Sequence, residues 1–230
     1  MKLGIIAAMQ IEAEQIIASM KDTATEVCGS ITYTLGKIGN TDVVCAVCGI
    51  GKVFAAMCAQ TMIVKYAPDA MINTGVGGTL TKALSIGDVA VSTETVQHDM
   101  DTSALGDPVG LISGINVIRL PADEALGDKV CAIAAQLGIK TCRGTIASGD
   151  RFVADTAVKK YITDNFGAIA CEMEGAAVGQ VCYVNKVPYL VIRAISDDAD
   201  GGACEDYPAF AKKSAENSAK IVIRLAGLLG

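Results

Sequence analysis

Five acidic residues stand just past apolar, strand-like runs, and they are where this chain could do chemistry. Leu3–Met9 is followed by Glu12, Ala168–Cys171 runs into Glu172-Met173-Glu174-Gly175, and Tyr189–Ile195 runs into Ser196-Asp197-Asp198. In an open α/β sheet, ligands bind at the carboxyl ends of strands, in loops fixed by a rigid scaffold. Carboxylates are costly to bury without a use, so acids gathered there point to proton transfer or charge stabilisation. Glu172 and Glu174 share a face if the strand continues through them, with Met173 on the other. Acids also favour the first turn of a helix, so capping is the structural alternative for Glu174 and Asp197. Acids at three strand ends weigh against capping as the whole explanation.

Three further motifs sit at element ends. Gly49-Ile50-Gly51-Lys52 follows a strand and opens a helix, where backbone N–H groups can face an anion. It is not a Walker A loop, because Ala46 stands where the first glycine belongs and Val53 replaces Ser/Thr. Phe54 likewise breaks the dinucleotide fingerprint, and a plain strand-to-helix turn accounts for the motif equally well. Asn73-Thr74-Gly75-Val76-Gly77-Gly78 lets the backbone approach a ligand closely or makes a tight turn. Ser148-Gly149-Asp150-Arg151-Phe152-Val153 places an aromatic where it could stack on a planar base, with adjacent backbone reading the base edge; core packing is the alternative. His98, the sole histidine, has nothing nearby to complete a triad and reads as structural or interfacial.

The elements that must position these residues alternate strand and helix. Predicted strands are Lys2–Ala8, Ile31–Leu35, Asp42–Cys48, Ala70–Asn73, Asp88–Thr93, Arg143–Ala147, Ala168–Cys171 and Tyr189–Ile195. Predicted helices are Glu12–Met20, Lys52–Tyr66, Ala122–Leu137, Asp155–Asn165, Gly175–Asn185 and Tyr207–Leu228. Continuous Val/Ile/Ala runs suit strands buried on both faces, and the alternation implies an α/β, largely parallel sheet covered by helices on both sides. Gly39-Asn40 joins the runs at 31–48 as a hairpin. Residues 98–121 fit neither period, as expected of a binding or interface loop.

Bulk properties narrow the function. The 230 residues are 51% hydrophobic, enough for one core, and no linker divides them; a single domain over 1–230 is expected. The net charge of −6 excludes a basic nucleic-acid surface. Nine cysteines, an odd count, show no Cys/His cluster of zinc-site spacing. Several lie in apolar runs (Cys45, Cys48, Cys171, Cys182), where a thiol behaves as a small hydrophobe. Reduced thiols imply a reducing, cytoplasmic compartment. The apolar run after Lys2 is too short for a signal peptide, with Glu12 and Glu14 following at once. No stretch reaches the ~18 uninterrupted apolar residues of a membrane span.

Taken in order and spacing, Gly49-Ile50-Gly51-Lys52-Val53, Asn73-Thr74-Gly75-x-x-Gly78, Ser148-Gly149-Asp150-x-Phe152, Glu172-Met173-Glu174 and Arg193-Ala194-Ile195-Ser196-Asp197 resemble the motifs of the 5′-methylthioadenosine/S-adenosylhomocysteine nucleosidases. These belong to the nucleoside phosphorylase superfamily, and the similarity runs from Met1 to the last helix. The resemblance implies a three-layer αβα fold with a mixed, partly barrel-like central sheet, and a homodimer. It implies hydrolysis of the bond between adenine and a 5′-thio-substituted ribose, with no cofactor or metal and a small nucleoside as the only partner besides the second subunit. Glu12 would be the general base on water, and Asp197 the general acid at adenine N7. Glu174 would hold the ribose hydroxyls and Met173 the sugar face, while Phe152 stacks on adenine and the Val153 backbone reads its edge. Ile50 and Gly78 would contact substrate, Tyr207 would line the 5′ pocket, and Arg193 and Ser196 would order the acids.

The chemistry is coherent. Loss of adenine leaves an oxocarbenium-like sugar that carboxylates stabilise, and protonating the leaving base is worth about 10²–10⁴-fold. Asp197 must then hold a proton near neutral pH, a state that burial and neighbouring negative charge favour. Phosphorolysis would need cations around a phosphate, whereas the loop after the first strand offers Gln10 and Glu12 and no Arg. Val76-Gly77 replaces a more usual Ser-Ala pair, and Tyr207 a more usual Phe; Thr102 and Leu105 would line the 5′ pocket in the same or the partner subunit. A related nucleosidase for another 5′-substituted nucleoside, such as a futalosine-type substrate, and a catalytically silent nucleoside-binding module are the competing readings.

Overall fold

The computed structural model describes residues 1–197 and 207–230, the side chains of the last helix from Phe210 onward. In chain order the elements are β1 (Lys2–Ala7), α1 (Gln10–Ser19), β2 (Lys21–Cys28), β3 (Ile31–Ile38), β4 (Thr41–Val47), α2 (Lys52–Tyr66), β5 (Ala70–Thr79) and β6 (Val89–Gln97). After a 3-10 turn at Ser103–Leu105 come β7 (Leu120–Pro121), α3 (Glu124–Gln136), β8 (Thr141–Ser148), α4 (Thr156–Phe166), β9 (Ala170–Glu172), α5 (Gly175–Asn185), β10 (Tyr189–Asp197) and α6 (Tyr207–Leu228).

The sheet runs β10-β6-β8-β9-β5-β1-β4-β3-β2, and β10 also pairs with β5. That extra pairing closes β5, β10, β6, β8 and β9 into a five-strand barrel, from which β1, β4, β3 and β2 extend as an open wing. The sheet is mixed. β1 lies parallel to both β4 and β5, and β10 parallel to β5, whereas β10–β6 and β5–β9 are antiparallel. Apolar side chains fill both faces. α1, α3 and α6 cover one core with Ile16, Val130, Ile133, Val222 and Leu225. α2 and α5 cover the other with Ala55, Met62, Val178 and Cys182. Each large aliphatic so buried is worth about 1.5–3 kcal/mol. The α/β reading and the barrel-like sheet are thus present in the structure.

Several strand limits differ from those read in the sequence, for physical reasons. β2 is unanticipated because every one of its residues is exposed, so it carries no apolar alternation to find. β5 does not stop at Asn73 but continues through the glycine-rich motif to Thr79, pairing Gly75 with Arg193 and Gly78 with Cys171. The glycines are therefore strand residues rather than a turn. β10 extends to Asp197 and is buried throughout. The hairpin stands as expected, β3 antiparallel to β4 with Gly39 at φ +60° in its turn. Cys45 and Cys48, spaced as C-x-x-C, lie in different cores on opposite sides of the sheet. Burial pushes the Cys45 thiol up to about 12, so the two form neither a redox nor a metal pair.

Candidate active site

Glu12 sits in the first turn of α1 and is 2% exposed. Its Oε2 accepts the Ala8 and Met9 backbone N–H groups at 3.0 and 2.9 Å, and its Oε1 accepts that of Val76 at 2.9 Å. Burial raises its pKa, against the opposing pull of the Arg193 charge and of those N–H donors. Glu12 is therefore a clamped carboxylate that takes a proton more readily than an exposed one, as a base for water should.

The Glu172-Met173-Glu174 segment divides its work. Glu174 occupies the N-cap position of α5 but makes no side-chain cap bond; its carboxylate instead accepts the Gly51 N–H at 2.8 Å. Capping falls to Glu172, whose oxygens accept the N–H groups of Glu174 (3.0 Å) and Gly175 (3.0 and 2.8 Å). Glu172 also takes the Ser148 hydroxyl and pairs with Arg193. The acid whose purpose the sequence leaves open is thus a positioning residue. Arg193 is 1% exposed and donates to the Asn73 carbonyl (3.3 Å), Asn73 Oδ1 (2.5 Å) and the Ile192 carbonyl (2.9 Å). Its guanidinium also lies 3.7 Å from Glu174. Burial disfavours the Arg193 charge, but Glu172, Glu174 and Glu12 outweigh it and hold the guanidinium charged.

Burial, then the Glu172 charge, lift Glu174 well above the usual carboxylate range against the pull of Arg193 and the Gly51 N–H. A carboxyl whose folded value exceeds its unfolded value of about 4.3 contributes stability that is complete below that value and lost as pH rises through the folded one. Glu174→Gln is therefore expected to raise the melting temperature of the ligand-free protein by a few degrees at pH ~8, about 1–2 kcal/mol, with the gain vanishing toward pH ~5. A lower melting point at pH ~8, measured by scanning calorimetry, would contradict this.

Asp197 ends β10 and is 5% exposed; Ser196 Oγ donates to its Oδ1 at 3.2 Å. The glycines of β5 explain how these acids converge. A Cβ on Gly75 would lie 2.6 Å from Glu12 Oε1, and one on Gly78 2.8 Å from Asp197 Oδ2. Both positions have room for a carboxylate only because the side chain is missing.

Glu12, Ile50, Gly78, Phe152, Val153, Met173, Glu174, Ser196 and Asp197 all line one cavity of about 110 Å³. Phe152, 54% exposed, stands at its mouth, while Val153 is buried. Arg193 lies behind the wall, joined to it through Glu172 and Glu174. The Tyr207 side chain, expected at the 5′ pocket, and Asp198 lie outside what the structure describes. Sequence reasoning missed Ala8, Met9, Arg151 and Cys171 as lining residues; only adjacency to Glu12, Phe152 and Glu172 could have flagged them. Thr102 and Leu105 do not line the cavity of this chain, and Leu105 is largely exposed. His98 is buried outside the cavity, with burial lowering its pKa, which fits a structural role. Among the described residues no cluster of three or more His, Cys, Asp or Glu could hold a metal, and no helix is long and apolar enough to cross a membrane.

The mixed α/β sheet with its closed barrel is the fold of the phosphorylase superfamily, whose model residues 2–226 match. A 5′-methylthioadenosine/S-adenosylhomocysteine nucleosidase of Shewanella loihica is 40% identical over 227 residues, covering 98% of both chains. The solved Neisseria meningitidis nucleosidase of that name, in complex with methylthio-immucillin-A, superposes with a TM-score of 0.93 at 34% identity and 99% coverage of both chains. A futalosine hydrolase of Helicobacter pylori superposes with a TM-score of 0.92 at 36% identity, covering 97% of this chain and 96% of that one. The chain belongs to the phosphorylase superfamily and, within it, to the 5′-methylthioadenosine/S-adenosylhomocysteine nucleosidases.

Proposed function

We propose that the protein is an N-glycosidic hydrolase that cleaves 5′-methylthioadenosine and S-adenosylhomocysteine to adenine and the 5-thioribose product. The observation that carries this reading is the convergence of Glu12, Glu174 and Asp197, from three separate elements, on one cavity with Phe152 at its mouth. Adenine stacks on Phe152 with its edge on the Val153 backbone, and the ribose hydroxyls bond Glu174 beside Met173. Glu12 orients and deprotonates water; Asp197 protonates N7. Ile50 and Gly78 close on the substrate, and Arg193 and Ser196 keep the acids in place.

The cavity's charge favours water over phosphate. Among the described residues, Glu12, Glu172, Glu174 and Asp197 line it against Arg151 alone, and the buried Arg193 is already matched by Glu172. A phosphate dianion there would face net repulsion, while a developing oxocarbenium ion would be stabilised.

In this reading the chain is one catalytic domain over residues 1–230, acting without a cofactor in methionine salvage in the cytoplasm, as a homodimer. Val53, Phe54 and Met57 are exposed on α2, and Tyr183 and Val184 on the adjoining end of α5, an apolar surface that suits a second copy. A futalosine-type substrate is the second reading, supported by the likeness to the Helicobacter pylori futalosine hydrolase. Steady-state kinetics on methylthioadenosine, S-adenosylhomocysteine and futalosine separate the two. The first pair is expected to exceed futalosine in kcat/KM by at least about tenfold, equivalent to ~1.4 kcal/mol of discrimination; the reverse preference would replace the first reading with the second.

A further inference from the structure

One buried charge has no part in the scheme above. Lys159, in the middle of α4, is 5% exposed, on a helix face it shares with the buried Ile162 and Phe166. That face carries Ile162 and Phe166 into an apolar cluster with Val153, Ala168, Cys171, Val96 and Ala147. An ammonium in such a setting costs several kcal/mol to desolvate, so a compensating negative charge is required. Lys159 Nζ lies 3.7 Å from Asp197 Oδ2, both side chains almost fully buried. Lys159 does not line the substrate cavity. It approaches Asp197 from behind, through the α4 layer.

We propose that Lys159 is a positioning residue for catalysis, a fixed cation that stabilises the carboxylate Asp197 becomes when it gives its proton to the leaving base. This rests on the nucleosidase reading above. In the step concerned, the Asp197 O–H bond breaks and its electron pair stays on the carboxylate. The proton bonds adenine N7 as the glycosidic pair departs with the base. Water adds at the anomeric carbon and loses its proton to Glu12. Both acids then reset by exchange with solvent. A cation 3.7 Å behind the donor lowers the energy of the state after transfer, and because it is preorganised it needs no rearrangement during the step.

Among the described residues, the other groups around Asp197 do not supply this charge. Ser196 gives a neutral hydrogen bond from β10. Cys171, on β9, has its thiol pushed up to about 12 by burial and then by the Asp197 charge, and so stays neutral. Glu12, Glu172 and Glu174 across the cavity are acids, and Arg151 is exposed at its edge. The sequence-based expectation that negative neighbours dominate around Asp197 therefore omits the nearest described cation.

The test pairs two leaving groups. Lys159→Met is assayed on methylthioadenosine and on the 4-nitrophenyl glycoside of 5-methylthioribose, whose phenolate leaves without needing a proton. We expect kcat for adenine release to fall about tenfold, part of the 10²–10⁴ that general acid catalysis supplies, with KM within about twofold and nitrophenolate release unchanged. The alkaline limb of kcat should move to higher pH by about one unit or more, because an opposite charge at this range favours the carboxylate. Lys159→Arg should restore both the adenine rate and the limb, and Lys159→Gln carries the same expectation as the Met variant should that variant fold poorly. Equal slowing on both substrates, an unmoved alkaline limb, or no slowing at all would overturn the role. Asp197→Asn run alongside separates the two levels: turnover of methylthioadenosine surviving in that variant means the reading of the site has failed, and with it the role of Lys159. An inactive Asp197→Asn with a Lys159→Met defect common to both substrates removes Lys159 alone.

Discussion

Asp197→Asn is expected to slow adenine release by about 10²–10⁴-fold, leaving a folded protein that still takes up methylthioadenosine. The carboxylate is held at the end of β10, with Ser196 on Oδ1 and the bare backbone of Gly78 beneath it. An asparagine keeps that volume and can still accept from Ser196, so the shape of the cavity need not change, although the negative charge facing Lys159 is removed and some stability goes with it. What is lost to catalysis is the proton. Without it adenine must depart as an anion, and among the described residues β10 brings no other acid to the cavity lining. Rapid-quench measurement of adenine, beside equilibrium binding of the nucleoside, checks this directly. Near-normal turnover would remove Asp197 from its role.

Glu12→Gln should be nearly as severe in turnover, with a loss of at least about 10²-fold, and it should retain ligand affinity because Phe152, Glu174 and Val153 are untouched. A second, structural cost comes with it. Glu12 accepts three backbone N–H groups through its two oxygens, whereas an amide has one acceptor oxygen. Either Val76 or the Ala8–Met9 pair then faces an NH₂ group, an unmade bond worth about 1–3 kcal/mol. The variant should therefore melt several degrees lower as well as turn over slowly. In the parent protein, burial raises the Glu12 pKa, and the base works only when deprotonated. Activity should thus fall, on acidification, through a value above the ordinary ~4.3 of a glutamate, and an acid limb at or below that value would contradict the assignment.

The candidate acids are legible in the sequence because they follow long apolar runs, where any charge stands out. Glu12, Glu174 and Asp197 were found that way, and the resemblance then gave each a task. Glu172 was equally visible but its task was not. Its two backbone donors (Glu174 and Gly175), Ser148 and Arg193 come from the start of α5, β8 and β10, and only the fold brings these together. The motif Asn73–Gly78 reads as a close-approach site just past a strand that ends at Asn73, and β5 runs on through it, since glycine weakens a strand signal even where the missing side chains make room for Glu12 and Asp197. β2, solvated on every residue, gave no period at all. Lys159 was invisible for a different reason. In the sequence it is one of two adjacent lysines in an ordinary helix, and only the turn of α4 onto the barrel buries it while Lys160 pairs with Asp164 outside.

The central claim is that water, activated at Glu12, is the nucleophile while Asp197 serves the leaving base. The most direct measurement is product analysis of methylthioadenosine turnover in ¹⁸O-labelled water, with and without inorganic phosphate. The account predicts adenine without label, 5-methylthioribose carrying one ¹⁸O at its anomeric carbon, and a rate indifferent to phosphate. Formation of 5-methylthioribose 1-phosphate, or a rate that requires phosphate, would contradict it.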